Sequence, residues 1–262
     1  MKKKKIFLWT LISIIVITLI IIFRDSVLSF GNSVLNSFKR TIIDENRYVM
    51  FLQGLENTLI ISLFSILFGT ILGIILFYIQ RINSHFVKLL SNGIIRFLQG
   101  VPITVLLLIF YFVIFGSVNI NPVIVAIMAF SIYFSAYVAE VVKGAYASIN
   151  RIQIDSAYSL GFNKMQTMKY IIIPQVLGIV IPVYKNEIVS LIKLTSIAGY
   201  ISIIELTKAS DIIRNRTYEA FFPLIFTAII YFVICYIIGK ILDLIYKKIN
   251  PRAVNKKWKM KY

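Results

Sequence analysis

Glu187 makes the strongest chemical demand of any residue in this sequence. Lys185 and Asn186 precede it, and it lies deep in an apolar run that starts at Ile171, with Lys193 and Thr195 following. A carboxylate at that depth is costly unless it is enclosed by protein, faces a water-filled cavity or meets a cation. The chemistry that suits it is the binding and passage of a charged ligand. Glu187 follows Pro182 closely and is expected to face a cavity. There a cationic side chain or an α-ammonium group would offset its charge, and Lys193 or Thr195 would receive a carboxylate. The competing reading is a permanent internal salt bridge. Lys185, two residues away, cannot share its helical face, so a partner for Glu187 would come from elsewhere in the chain. Covalent or metal chemistry has little to work with. The sequence holds one histidine, His85, and one cysteine, Cys235. Neither a metal cluster nor a Cys/His pair can be assembled from these, and no run carries two acids at helical spacing.

These side chains must be positioned by membrane helices. The chain has 262 residues, of which 59% are hydrophobic, 14% aromatic and 15% charged. That places it in the membrane class and excludes an ordinary soluble domain. A spanning helix needs about 20 apolar residues. Six runs qualify, at residues 6–23, 59–79, 101–118, 123–142, 171–192 and 221–242. The segment 171–206 is expected to be the least regular, because Pro174 and Pro182 each remove a backbone donor. Gly69 and Gly73 form a G-x3-G pair that lets another helix approach closely, either within the chain or across a dimer. Between Arg81 and Gly100, Phe86, Leu89, Leu90, Ile94, Phe97 and Leu98 recur at helical spacing opposite Lys88, Asn92 and Arg96. This reads as an amphipathic interfacial helix that turns into the membrane at Gly100-Val101-Pro102.

The formal net charge of +17 follows membrane topology rather than pointing to nucleic acid. Lysines crowd both termini, and Arg81, Lys88, Arg96, Lys143, Arg151, Lys164 and Lys169 fill two internal loops. The alternate loops at 24–48 and 193–219 balance their basic residues with acids. The positive-inside rule then puts both termini in the cytoplasm, in agreement with six crossings. The basic tail is expected to touch membrane lipid. The organisation expected is an N-terminal membrane anchor helix over 1–24, an external connector over 25–50, a transmembrane domain over 51–247 and a basic cytoplasmic tail over 248–262. No small-x-small cleavage site follows the first run, so it reads as a retained anchor.

The loop over 143–175 is longer than a turn between helices requires. Asn150-x2-Gln153 and Asn163-x2-Gln166 both fit capping boxes. Gly161 is placed to stop the first short helix at positive φ. Helix, glycine turn and helix would form a knob on the cytoplasmic face, suited to docking a partner.

Several stretches together resemble the permease subunits of ABC importers for polar amino acids, over about residues 51–250. They are Gly54-Leu55-x2-Thr58, Gln99-Gly100-Val101-Pro102, Ala136-Tyr137-x-Ala139-Glu140-x2-Lys143-Gly144-Ala145, Ser148-Ile149 and Asp155-Ser156-Ala157-x3-Gly161. Ile173-Pro174-Gln175, Pro182-x3-Asn186, Lys193-Leu194-Thr195-Ser196-Ile197 and Ile204-Glu205-Leu206 complete the set. The family usually has Arg-Gly-Thr-Pro at Gln99–Pro102, Glu-Ala-Ala at Asp155–Ala157 and Lys-Asp-Thr-Ser-Leu at Lys193–Ile197. One charge of each sign is thus missing, at Gln99 and at Leu194. The resemblance implies an all-α type I permease core of five transmembrane helices, here with one extra N-terminal helix, in the cytoplasmic membrane of a bacterium. It implies a subunit that catalyses nothing and binds no cofactor. ATP and Mg would sit on a docked ABC ATPase dimer. A second permease subunit (the same chain or a paralogue) and an extracytoplasmic substrate-binding protein would complete the importer. Asp155, Ser156, Ala157, Gly161 and Phe162 would couple to the ATPase, and Gln99, Asn186, Glu187, Lys193 and Thr195 would bind substrate. The alternative, a stand-alone ion-coupled amino acid transporter, would show paired broken helices in internal repeats. One broken region is found, and the capped knob would have no role there.

Overall fold

The computed structural model describes residue 29 and residues 31–249. The expected anchor over 6–23 and nearly all of the basic tail lie outside the described residues. Every regular element among the described residues is helical. We number the α-helices α1 (Arg47–Ile79), α2 (His85–Gly100), α3 (Ile103–Leu108), α4 (Pro122–Ala147), α5 (Arg151–Ser159), α6 (Lys164–Thr167), α7 (Ile173–Leu194), α8 (Leu206–Thr217) and α9 (Phe221–Ile249). Residues 31–38 are also helical and lead through a π-turn at Lys39–Ile43 into α1.

The helix α1 begins well before the apolar run that announces it. Its 33 residues make it about 50 Å long, against roughly 30 Å for a hydrocarbon layer. The surplus lies at its N-terminal end, where Phe51 and Gly54 are buried. Further along, Gly69 and Gly73 seat α1 on α4. A Cβ on Gly69 would fall 2.8 Å from the Ser131 carbonyl oxygen, and one on Gly73 would fall 2.6 Å from the Val138 Cβ. The G-x3-G pair is therefore an intramolecular contact between α1 and α4.

That contact fixes the topology. Going up in number along α1, Ser65 donates to the Ile127 carbonyl, Gly69 meets Ser131, Gly73 meets Ser135 and Val138, and Phe77 meets Tyr146. Both helices ascend together, so they run parallel, and a tight turn cannot join them. The chain between them must travel back across the layer. It does so in α2 and the segment Ile103–Ile114, which meet at a bend of 103°. Val101 and Pro102 hold extended conformations at the bend, as expected for a residue forced out of the α region by the following proline. The run over 101–118 is thus not a span by itself. Its helical part, Ile103–Ile114, is only about 18 Å long.

Opposite pairings show α7 antiparallel to α4 and α9 antiparallel to α7. The Tyr184 ring lies 5.9 Å from that of Phe134, tilted at 49°, while Ile172 and Tyr146 line one cavity nearer the other end. Lys185 meets Asp243, and Lys193 shares a groove with Phe232 and Cys235. The result is five crossings among the described residues, counting the bent pair as one, with the loop 148–172 and the end of α9 on the same side. Pro182 does not break α7, which stays helical through Leu194 before a 3-10 stretch at Thr195–Ile201. The segment is therefore more regular than its two prolines suggest. α4 is the central helix, rich in small residues, with 56% of its most apolar window buried; α9 buries 11%. The outer faces of α7 and α9 are left for lipid or for another subunit.

Candidate functional site

The knob is built as its residues dictate. Asn150 caps α5 by accepting from the Ile152 N–H at 2.9 Å. Leu160 ends the helix and Gly161 takes φ +84°. The Gly161 N–H donates to the Tyr158 carbonyl at 2.9 Å, and the Phe162 N–H donates to the Ala157 carbonyl at 3.1 Å. This paired closure is the Schellman motif, and its positive φ strains any residue but glycine. Asn163 and Gln166 then form a complete capping box, each amide donating to the other side chain at 2.9 Å. The box predicted at Asn150 does not form, since Asn150 caps through the second amide of the helix rather than the third. Gln153 instead accepts from Gln175 Nε2 at 2.7 Å, and Gln175 also donates to the Ile171 carbonyl. That bridge ties the knob to the base of α7.

The five expected coupling residues sit together on this unit. Ala157 is buried inside it, and Asp155, Ser156, Gly161 and Phe162 are exposed. Four apolar side chains that sequence reasoning passed over stand out beside them: Ile152, Tyr158, Leu160 and Met165, with Leu160 and Met165 each 77% exposed. The signal for them was present, since large apolar residues interrupt an otherwise polar helix.

The expected substrate residues are less tightly gathered. Asn186 and Lys193 line a groove of about 580 Å³ between α7 and α9. Lys185, Lys240 and Asp243 line it too, and Lys185 Nζ pairs with Asp243 Oδ1 at 2.7 Å. Glu187 is not among the residues lining this groove and lies half-buried. Glu187 makes none of the ion pairs found among the described residues. Thr195 does not reach the groove: it is fully buried and its hydroxyl donates to the Ile192 carbonyl at 2.7 Å. Gln99 is half-buried on the last turn of α2, apart from the α7 residues.

A second carboxylate lies at the end of the molecule opposite the knob. Glu205 is 1% exposed and caps α8, accepting from the Thr207 N–H at 2.7 Å and the Lys208 N–H at 2.6 Å. The Tyr231 hydroxyl donates to it at 3.2 Å. Burial pushes its carboxyl above the usual range, and these bonds pull it back. α1 grips the same turn. Asn57 Nδ2 donates to the Ile204 carbonyl at 2.8 Å, and the Thr58 hydroxyl accepts from the Leu206 N–H at 3.2 Å. A Cβ on Gly54 would come within 2.9 Å of the Glu205 carbonyl oxygen. Gly54, Thr58 and Ile204–Leu206, far apart in sequence, are one clamp.

Helices of this arrangement, with an exposed capped knob between the central spans, define a polytopic permease. The family of binding-protein-dependent transport system inner membrane components matches residues 65–254, and the chain belongs to it. The chain is 33% identical over 198 residues to the probable amino-acid ABC transporter permease protein YckA of Bacillus subtilis (strain 168), covering 75% of this chain and 88% of YckA. It is 28% identical over 205 residues to the putative glutamine transport system permease protein GlnP of Rickettsia typhi, covering 77% and 94%. Among solved structures, one of an amino acid ABC transporter with histidines superposes with a TM-score of 0.70 at 31% identity, covering 77% of this chain and 94% of that one. The methionine transporter MetNI in an inward facing form gives 0.66 at 18% identity, covering 79% and 99%, a likeness of fold. The protein is thus a multi-pass inner-membrane permease subunit of an ABC importer with the type I fold, a transport rather than a catalytic component.

Proposed function

We propose that this chain carries a polar amino acid into the cell as one of two permease subunits, driven by an ATPase dimer docked on the 150–167 knob and fed by an extracytoplasmic binding protein. The observation that carries the reading is the knob itself. It is rigidly capped at Asn150, Gly161 and Asn163, tied to α7 through Gln153 and Gln175, and it displays Leu160 and Met165 to a partner. ATP and Mg would bind the partner, whose closure moves two knobs together and switches the pathway between outward and inward access. The relatives named as probable amino-acid and putative glutamine permeases, and the amino acid transporter structure, support an amino acid as cargo.

The substrate path is proposed to use α7. Lys193 and Asn186, in the groove, suit a carboxylate and a polar group. Glu187, without an ion-pair partner among the described residues, suits an α-ammonium group or a cationic side chain, which favours a basic amino acid or a derivative of one. Thr195 closes the turn after Lys193 and would act by positioning it. Gln99, beside the α2–α3 bend, is the remaining candidate. The test is uptake by the reconstituted complex across a panel of amino acids. Glu187→Gln should lose cationic substrates at least tenfold while keeping neutral ones; unchanged uptake of every amino acid removes Glu187 from the path.

The knob, the end of α9 and both termini are proposed to lie in the cytoplasm. Arg81, Lys143, Arg151, Lys164, Lys169, Lys247 and Lys248 gather at that end, in keeping with the positive-inside rule. In a Cys235→Ala background, an impermeant thiol reagent added to intact cells should label Asn36→Cys and spare Ser159→Cys. The reverse pattern would invert the topology.

A further inference from the structure

Between α1 and α7, floored by α4, runs an apolar slot of about 330 Å³ that neither coupling nor the substrate path uses. It extends along α7 from Ile172, beside the knob, to Tyr184. That is about 18 Å, or roughly the hydrocarbon depth of one leaflet. At the deep end Thr70 donates to the Ile66 carbonyl and the Tyr184 hydroxyl bonds to Thr70, so neither has a donor left for a carboxylate. No acidic residue lines the slot, and its one cationic lining residue, Arg81, stands at the shallow end. The Arg81 guanidinium lies over the Tyr146 ring at 3.9 Å from its centroid and over Phe77 at 5.7 Å. Stacking holds the guanidinium plane and leaves its N–H edge outward. Arg81 is exposed and makes none of the ion pairs found among the described residues.

A zwitterionic amino acid inside this slot would leave its charges unmatched. We propose instead that the slot holds one acyl chain of an anionic phospholipid from the knob-side leaflet, with the headgroup phosphate on Arg81. An acyl chain matches the length and the apolar walls, and a guanidinium at the interface matches a phosphate in planar geometry. The occupant would lie against Met168 and Ile172, the two ends of the π-turn that joins the knob to α7. Lipid occupancy therefore stiffens the hinge through which the knob moves α7.

The experiment is mass spectrometry of the intact complex, purified and equilibrated in vesicles of equal phosphatidylglycerol and phosphatidylcholine. The wild-type complex should retain phosphatidylglycerol in preference. Arg81→Gln should lower that preference roughly fivefold, and Arg81→Lys should keep most of it. Leu177→Trp, which fills the slot from its exposed wall, should release both lipids. Equal retention of the two lipids by the wild type, an unchanged preference in Arg81→Gln, full retention in Leu177→Trp, or an amino acid or peptide recovered in place of lipid would each overturn the proposal.

Discussion

Glu187 and Glu205 are both acids set among apolar neighbours, and the chain treats them in opposite ways. Glu205 receives two backbone amides and a tyrosine hydroxyl, and α1 closes over its turn through Gly54, Asn57 and Thr58. Its negative charge is spent on holding α8, α9 and α1 together. Glu187 has no ion pair among the described residues and lies half-buried on α7. A buried charge that is fully bonded is a structural part. One left short of partners keeps its interaction energy for something that arrives later.

The contrast can be broken by paired substitutions. The largest effect is expected for Glu205→Ala, which strands the Thr207 and Lys208 amides in a buried turn. Loss of a cap together with unsatisfied donors amounts to about 2–4 kcal/mol, enough to lower the apparent melting temperature clearly in detergent. A variant that melts like the wild type would mean that the clamp contributes nothing. Glu187→Gln should change melting much less, by under about 0.5 kcal/mol, because it breaks no ion pair among the described residues. A large destabilisation there would make Glu187 structural and end the comparison.

The two sites also differ in how far they could be read from sequence. The knob depends on local signals: Gly161 at positive φ and Asn163 with Gln166 act within a few residues of themselves. Those features were legible. The Asn150 box failed because Gln153 bonds to Gln175 across the loop, a contact that no local rule supplies. Four spans, α1, α4, α7 and α9, were legible as apolar runs. The bent pair of α2 and Ile103–Ile114 was not, because its crossing is divided at Val101-Pro102. The parallel packing of α1 and α4 was not legible either, since it depends on which side of α1 Gly69 and Gly73 occupy. Pro182 suggested a break, but α7 continues through it. Glu205 was singled out in the sequence only within the Ile204-Glu205-Leu206 stretch of the family resemblance, as Gly54 and Thr58 were in another. Their meeting across almost 150 residues is a tertiary fact. The Lys185–Asp243 pair is of the same kind.

Both carboxylates matter to transport only if motion enters through the knob. The most direct measurement is ATP hydrolysis and ATP-driven uptake by the complex carrying Gly161→Val, reconstituted with its binding protein. A β-branched residue at φ +84° should cost more than about 1 kcal/mol locally and deform the docking surface. Substrate-stimulated hydrolysis and uptake should both be lost, while the chain still inserts in the membrane with unchanged topology. Wild-type stimulation and uptake in that variant would contradict the knob as the coupling element.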